Sequence, residues 1–398
     1  MALLSDSTRP PVLLVFLFFH EETAAMLRGI AHYQRSHRPW RTYIDDEAKA
    51  EKDPRWLRGQ KWSGVISRHT HPALVEQCAA QGIPLVDLND CEPFGDTPKI
   101  RPDNVAVGHM GAEHLLNRGF RKLVYAGFSN CLWSRERRDG FVEAARLASV
   151  ESEVFDLLYP GDMTPAWEAE QVTALAGWLR KQPKPIGLMA CNDMWAFTIL
   201  SACAAAGLLV PEDIAVLGVN NDEVRCDLSF PPLSSVATDV FQSGYQAAEM
   251  LDLLMNGQTP TNRQIRIEPR GVITRQSTDI FAIEDRHVAA ALSYIREHAF
   301  DGMSVDDLIR PSGASRSQLE KKFRRCLGRS PQTEIRRVQM ERVSSLLTST
   351  DFPLKKIADL AGFEHLEYMS VVFKRTFGVS PGQFRKRHLT KPLPRGAS

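Results

Sequence analysis

A chain of 398 residues, 43% hydrophobic and 24% charged, is too long for one ordinary core and too apolar to stay disordered. Its formal net charge of +1 hides an asymmetry: from Arg286 onward there are 21 Lys+Arg against 11 Asp+Glu, and the rest carries 28 against 37. A basic tail beside an acidic partner suggests a polyanion as the tail's ligand, while seven scattered cysteines with no CxxC pair argue against a zinc site or a disulfide framework.

Residues 12–19 are strongly apolar but too few to span a membrane. They lack a basic leader and end in His20-Glu21-Glu22, so they read as a buried first strand and the protein as cytoplasmic. Further strands are expected at 64–67, 85–88, 123–128, 187–190 and 214–219. Helical patterns lie between them at 24–34, 105–117, 138–147, 167–178 and 195–206. This alternation predicts an α/β fold with parallel sheets covered by helices on both faces. So many units over some 270 residues imply two sheets, hence two lobes. Such folds take ligands at the carboxyl ends of their strands.

From Pro269 to Asp285 the chain turns polar, as expected of a crossing between domains. Beyond it the pattern is helical throughout, with Ile335, Val338, Val343, Leu346 and Leu347 on one stripe. The expected organisation is a sensing domain over 1–280, an all-α domain over 281–390 and a flexible tail over 391–398.

The all-α part repeats one pattern. Val305, Leu308 and Ile309 precede Gly313-Ala314-Ser315, and a helix with Leu319 and Phe323 follows. Leu354, Ile357 and Ala358 precede Gly362-Phe363, and a helix with Met369 and Phe373 follows. In each, a glycine ends a short helix, the chain turns, and a second helix buries an apolar pair four residues apart: a helix-turn-helix. The opening of the second helix is what such a unit presents to base edges. In the first unit that places Arg316, Ser317, Gln318, Lys321 and Arg325 toward DNA; in the second, His365, Glu367 and Ser370, with Lys374 and Arg375 placed for phosphates. One such unit is weak evidence, since charged surface helices are common. Two in a basic domain are much stronger.

The run IADLAGFEHLEYMSVVFKRTFGVSPGQFRK, residues 357–386, resembles the AraC family of regulators, and the likeness extends over about 286–388. It implies that both units face successive major-groove segments of double-stranded DNA. Pro311 and Ser312 depart from the family pattern, and the proline should shorten the first helix. Residues 12–275 resemble the LacI/GalR sensor, a type I periplasmic-binding-protein fold. The likeness rests on Asp103-Asn104, Gly108, Glu113-His114, Cys191-Asn192-Asp193, the run from Val210 to Gly218, and Pro231 to Val236. A sensor of this kind followed by an AraC-type tail is the order of the xylose operon regulator subfamily, which Arg275-Gln276-Ser277-Thr278-Asp279 and Arg316-Ser317-x-Leu319-Glu320-Lys321 also resemble.

That resemblance implies a small sugar as effector, with xylose or a related pentose as the default, and a homodimer that activates sugar catabolism genes. Sugar sites need planar hydrogen-bonding groups and an aromatic face. The candidates are Arg137, Asn192, Asp193, Asn220, Asp222 and Trp133, with His20 at the end of the first strand. Asp193 is equally suited to cap the helix after it, and Trp133 to fill a core. A transport-type binding protein and a sugar-modifying enzyme fused to a DNA-binding tail are the alternatives. His20-Glu21 lacks the second histidine of a zinc protease, and His69-Thr70-His71 stands without cysteines. There is neither a glycine-rich phosphate loop nor a GxSxG elbow. No catalytic residue, cofactor or metal is expected.

Overall fold

The computed structural model describes residues 9–17, 21–58, 60–161, 164–279 and 285–388. The chain divides into two compact units, Met1–Asp279 and Ile280–Ser398. The first contains two six-stranded sheets. Its strands are β1 Pro11–Val15, β2 Arg41–Asp45, β3 Gly64–Ser67, β4 Leu85–Asp87, β5 Lys99–Pro102 and β6 Lys122–Phe128. They continue as β7 Glu151–Leu157, β8 Ile186–Ala190, β9 Ile214–Val219, β10 Ser234–Ala237, β11 Gln264–Ile267 and β12 Gly271–Ile273. One sheet runs β11-β5-β4-β3-β1-β2 and is parallel throughout; the other runs β12-β10-β9-β8-β6-β7, with only β12 antiparallel.

Both faces of each sheet are covered, and the strand sequences show why. On β1, Val12 and Leu14 pack with Met26, Ile30 and Leu251 on one side, while Leu13 and Val15 pack with Leu57, Leu74 and Cys78 on the other. A continuous apolar run is what a parallel strand buried on two faces requires. Each such side chain contributes about 1.5–3 kcal/mol when fully buried. β6 and β9 are buried along their whole length.

The chain passes between the lobes three times: after β5, after β10 and after β11. At these crossings the Asp103 N–H donates to Ile267 O (2.8 Å) and the Arg270 N–H to Ala237 O (2.8 Å). In each lobe one helix pair packs backbone to backbone. A Cβ on Gly108 would lie 2.0 Å from Arg137 O, and one on Gly140 2.1 Å from Val105 O. Gly29 and Gly244 meet Phe241 and Met26 in the same way in the other lobe. Only glycine permits helices Asn104–Asn117 and Leu132–Leu147 to approach so closely, which fixes the height of Arg137 above the sheet.

The sequence reading needs two corrections here. The helix expected at 138–147 starts at Leu132, so Trp133 and Arg137 sit on its first turns. The polar stretch after Pro269 is not all linker. Gly271–Ile273 pairs with β10, and Ser277 and Thr278 are fully buried. The Ser277 hydroxyl donates to Val216 O (2.6 Å) and accepts from the Ser234 N–H (2.8 Å), while Thr278 bonds His114 (2.8 Å). Burial holds the His114 pKa down at about 3, so it is neutral.

The second unit is helical. Pro331–Ser349 packs against both flanking helix pairs; the expected stripe is buried throughout, and its later part, Val343, Leu346 and Leu347, joins a core with Ile357, Phe363, Met369 and Phe373. The first helix is split into a 3-10 turn, Val305–Leu308, and a four-residue α-helix, Ile309–Ser312, which contains Pro311 and ends at Gly313. Its α-helical part is shorter than Leu354–Leu360 of the second unit, as expected of a segment whose proline lacks an N–H. Residues 391–398, expected to be a tail, lie outside the described residues.

Candidate ligand cleft and DNA-reading helices

β6, β8 and β9 are adjacent and parallel, so the segments leaving their carboxyl ends share one edge of the second sheet. Arg137 is 3% exposed there. Its Nε donates to Asn104 Oδ1 (2.8 Å), Nη1 to Cys191 O (2.6 Å) and Nη2 to Asn220 Oδ1 (3.2 Å). The guanidinium lies over the Trp133 ring, 5.2 Å from its centroid, and Trp133 meets Phe128 edge to face. Asn220 and Asn221 follow β9 with φ of 104° and 55°. This left-handed backbone is strained for a non-glycine residue and turns the two amides away from the strand. Asn221 is held by Arg275 at 2.9 Å.

Asp193 is 2% exposed. Its carboxylate accepts from the Ser235 hydroxyl (2.6 Å) and the Asp222 N–H (2.8 Å). Gly218 leaves it room, since a Cβ there would sit 2.1 Å from Asp193 Oδ1. Burial raises its pKa to about 7 against the pull of those two donors, and the nearby carboxylates of Asp222 and Glu22 add to the rise.

The other candidates have local duties. Asn192, not Asp193, caps helix Asp193–Ala206, its Oδ1 accepting from the Trp195 N–H at 2.8 Å. Asp222 caps helix Glu223–Leu228 and pairs with Arg225 at 3.3 Å. His20 lies outside the described residues. The structure therefore brings together Arg137, Asn220 and Trp133, ties Asp193 to Ser235 and the Asp222 N–H, and leaves Asn192 and Asp222 facing their own helices.

Sequence reasoning missed the opposite wall. Glu136, one residue before Arg137, forms a bidentate pair with Arg101 of β5 (2.6 and 2.7 Å) and a longer one with Arg266 of β11 (3.4 Å). Asn104 donates to Asp90 (3.0 Å), and Arg135 pairs with Glu92 (2.8 Å). Arg68 follows β3 and pairs with Glu22 at 3.7 Å. Each link except the last joins one lobe to the other. The only signal for Asn104 was the Asp103-Asn104 motif, and alternating charge in Arg135-Glu136-Arg137 was the only one for Glu136.

In the second unit helix Arg316–Leu327 is capped by the Ser315 side chain, helix Leu366–Phe377 begins after His365 without a side-chain cap, and the two stop at Gly328 and Gly378. Leu319, Phe323, Met369 and Phe373 are fully buried. Gly313 and Gly362, at φ of 64° and 73°, supply the left-handed turn of each unit. Arg316, Ser317, Gln318, Lys321 and Arg325 are exposed, as are His365, Glu367, Lys374 and Arg375; Ser370 is half-buried. Several are engaged within the protein. Arg316 pairs with Asp306 at 2.8 Å, Gln318 completes a capping box with Ser315, and Arg325 reaches Asp285 at 3.0 Å. Among the described residues there is no helix long and apolar enough to cross a membrane, and no cluster of three metal-ligating side chains.

Residues 112–278 match a periplasmic binding protein-like domain and residues 308–387 a helix-turn-helix domain. The xylose operon regulatory protein of Escherichia coli (strain K12) is 31% identical over 372 residues, 90% of this chain and 93% of the relative. Its namesake in Haemophilus influenzae is 31% identical over 371 residues, 90% and 94% of the two chains. The solved structure of a xylose-binding transcription activator covers 96% of this chain with all of its own, at 27% identity and a TM-score of 0.80. A transcriptional regulator bound to cellobiose, at 22% identity and a TM-score of 0.55, shares the fold of the sensor.

Proposed function

This chain belongs to the family of xylose operon regulatory proteins, and from that premise we propose that it is a cytoplasmic, non-enzymatic activator whose DNA binding is set by a pentose held between the two lobes. The observation that carries the reading is the convergence of Arg137, Asn220 and Trp133 at the strand ends of a chain that also holds two helix-turn-helix units. A guanidinium and an amide offer planar donors and acceptors to hydroxyls, and an indole face suits a sugar's C–H side. Asp193, whose bonds reach the Ser235 hydroxyl and the Asp222 N–H, would hold Ser235 and the strained Asn220 loop in place.

The ligand acts only through differential affinity for two arrangements of the lobes. Glu136 with Arg101 and Arg266, and Arg135 with Glu92, are the contacts such a change would remake. The sensor ends at a segment anchored to its second sheet by Ser277 and Thr278. A homodimer would supply four recognition helices to a repeated operator.

The test is thermal denaturation of the whole protein against D-xylose, other pentoses, hexoses and sugar acids. Sugar at 100 times its Kd should stabilise the sensor by about 2.7 kcal/mol. A shift with xylose supports the reading. A shift with another sugar replaces the effector, and no shift with any sugar removes the sugar from the proposal while leaving the DNA-binding unit as it stands.

A further inference from the structure

The two recognition helices share one register. Leu319 and Phe323 of the first correspond to Met369 and Phe373 of the second, all fully buried. The residue midway between each pair lies about half a helical turn from both, at the centre of the outward face. In the first helix that residue is Lys321; in the second it is Val371. Val371 is 66% exposed, the most of any large apolar side chain described in the second unit. Glu367, Ser370, Lys374 and Tyr368 surround it, and the Tyr368 ring is held by the Arg336 guanidinium at 5.0 Å.

A scattered exposed valine needs no explanation. One at the centre of a surface that faces the major groove does. It has no hydrogen bond to offer a base and no charge to offer a phosphate. The major groove presents one apolar group, the C5 methyl of thymine. Glu367, one turn earlier on the same face, disfavours close phosphate contact there, while Lys374 and Arg375 at the far end favour it. The backbone is thus gripped at the end of the helix, and its centre is left to the bases. We propose that Val371 reads a thymine by packing on its methyl group, so that the second unit selects sequence by an apolar contact where the first uses the cation Lys321. This rests on the reading of both helices as DNA-facing.

The test uses a duplex selected from a randomised pool by the full-length protein. Each thymine in it is replaced in turn by deoxyuridine, which pairs alike and lacks only the methyl. At one thymine the wild-type protein should lose about fourfold in affinity, the worth of one buried methyl. Val371→Ser should bind the thymine and deoxyuridine duplexes equally at that position, and Val371→Ala should fall between. If the wild type discriminates at no thymine, or if Val371→Ser keeps the full discrimination, the proposal is overturned while the selected site upholds DNA reading. If no sequence is selected from the pool, the reading of both helices falls and the proposal with it.

Discussion

Arg137 in the sensor is 3% exposed and spends its guanidinium on Asn104, Cys191 and Asn220. Arg325 on the first recognition helix has a side chain 68% exposed and shares Asp285, at 3.0 Å, with Lys322. The same residue type is preorganised in one place and left to find its partner in the other. A buried polar group is costly unless every bond is made, so the groups proposed to bind ligand are also parts of the sensor's structure. An exposed one is screened by water and salt, so the DNA-facing groups contribute little until DNA arrives. Substitutions should therefore couple binding to stability in the cleft and separate the two on the recognition helices.

The largest effect is expected at Arg137. Arg137→Met leaves two buried acceptors, Asn104 Oδ1 and Cys191 O, and the half-buried Asn220 Oδ1 without their donor, and should cost the sensor about 3 kcal/mol or more in urea denaturation, together with its thermal response to sugar. Unchanged stability would break the comparison at its strongest point.

Asp193→Asn comes next, with a loss of about 1–3 kcal/mol at low pH, where the native side chain is itself protonated. In the wild type the folded carboxyl, at about 7, keeps its proton above the ordinary 3.8. The folded state therefore binds more protons than the unfolded one across that window, and stability falls as pH rises from 3.8 to about 7, then levels. The variant should lose that slope. Retention of the slope in urea titrations across the window would assign it elsewhere.

On the DNA side the effects are smaller and confined to binding. Lys321→Ala should weaken the selected duplex by roughly 1–3 kcal/mol if the ammonium reaches a base, with stability changed by no more than about 0.5 kcal/mol. An equal loss on random duplexes would mark a phosphate contact instead, and the salt slope would then fall by about one.

Much of this was legible in the sequence because its causes are local. The apolar runs of β1, β3, β6, β8 and β9 are continuous, since both faces of those strands are buried. The turn glycines Gly313 and Gly362 stand a fixed distance before an apolar pair, since helix and turn geometry require it. β2, β5, β7, β10, β11 and β12 escaped detection. β2, β7, β11 and β12 are sheet edges, β5 carries Lys99 and Arg101, and β10 is four residues opening on two serines; nothing in such a short or polar strand marks it until its neighbour is known. The alternative set for Asp193 as a helix cap failed for a similar reason. Asn192, one residue earlier, is equally good at capping, and only the buried Ser235 hydroxyl decides where the aspartate goes.

The sequence by itself determined that an acidic α/β sensor precedes a basic pair of helix-turn-helix units, because hydrophobic period, glycine placement and charge are properties of short segments. The tertiary structure alone decided which polar residues meet one another at the strand ends. Arg137 meets Asn220 across 83 residues of chain, and Glu136 meets Arg101 across 35. Those meetings depend on the close approach of two helices at Gly108 and Gly140 and on the order of strands in two sheets, neither of which any single segment encodes.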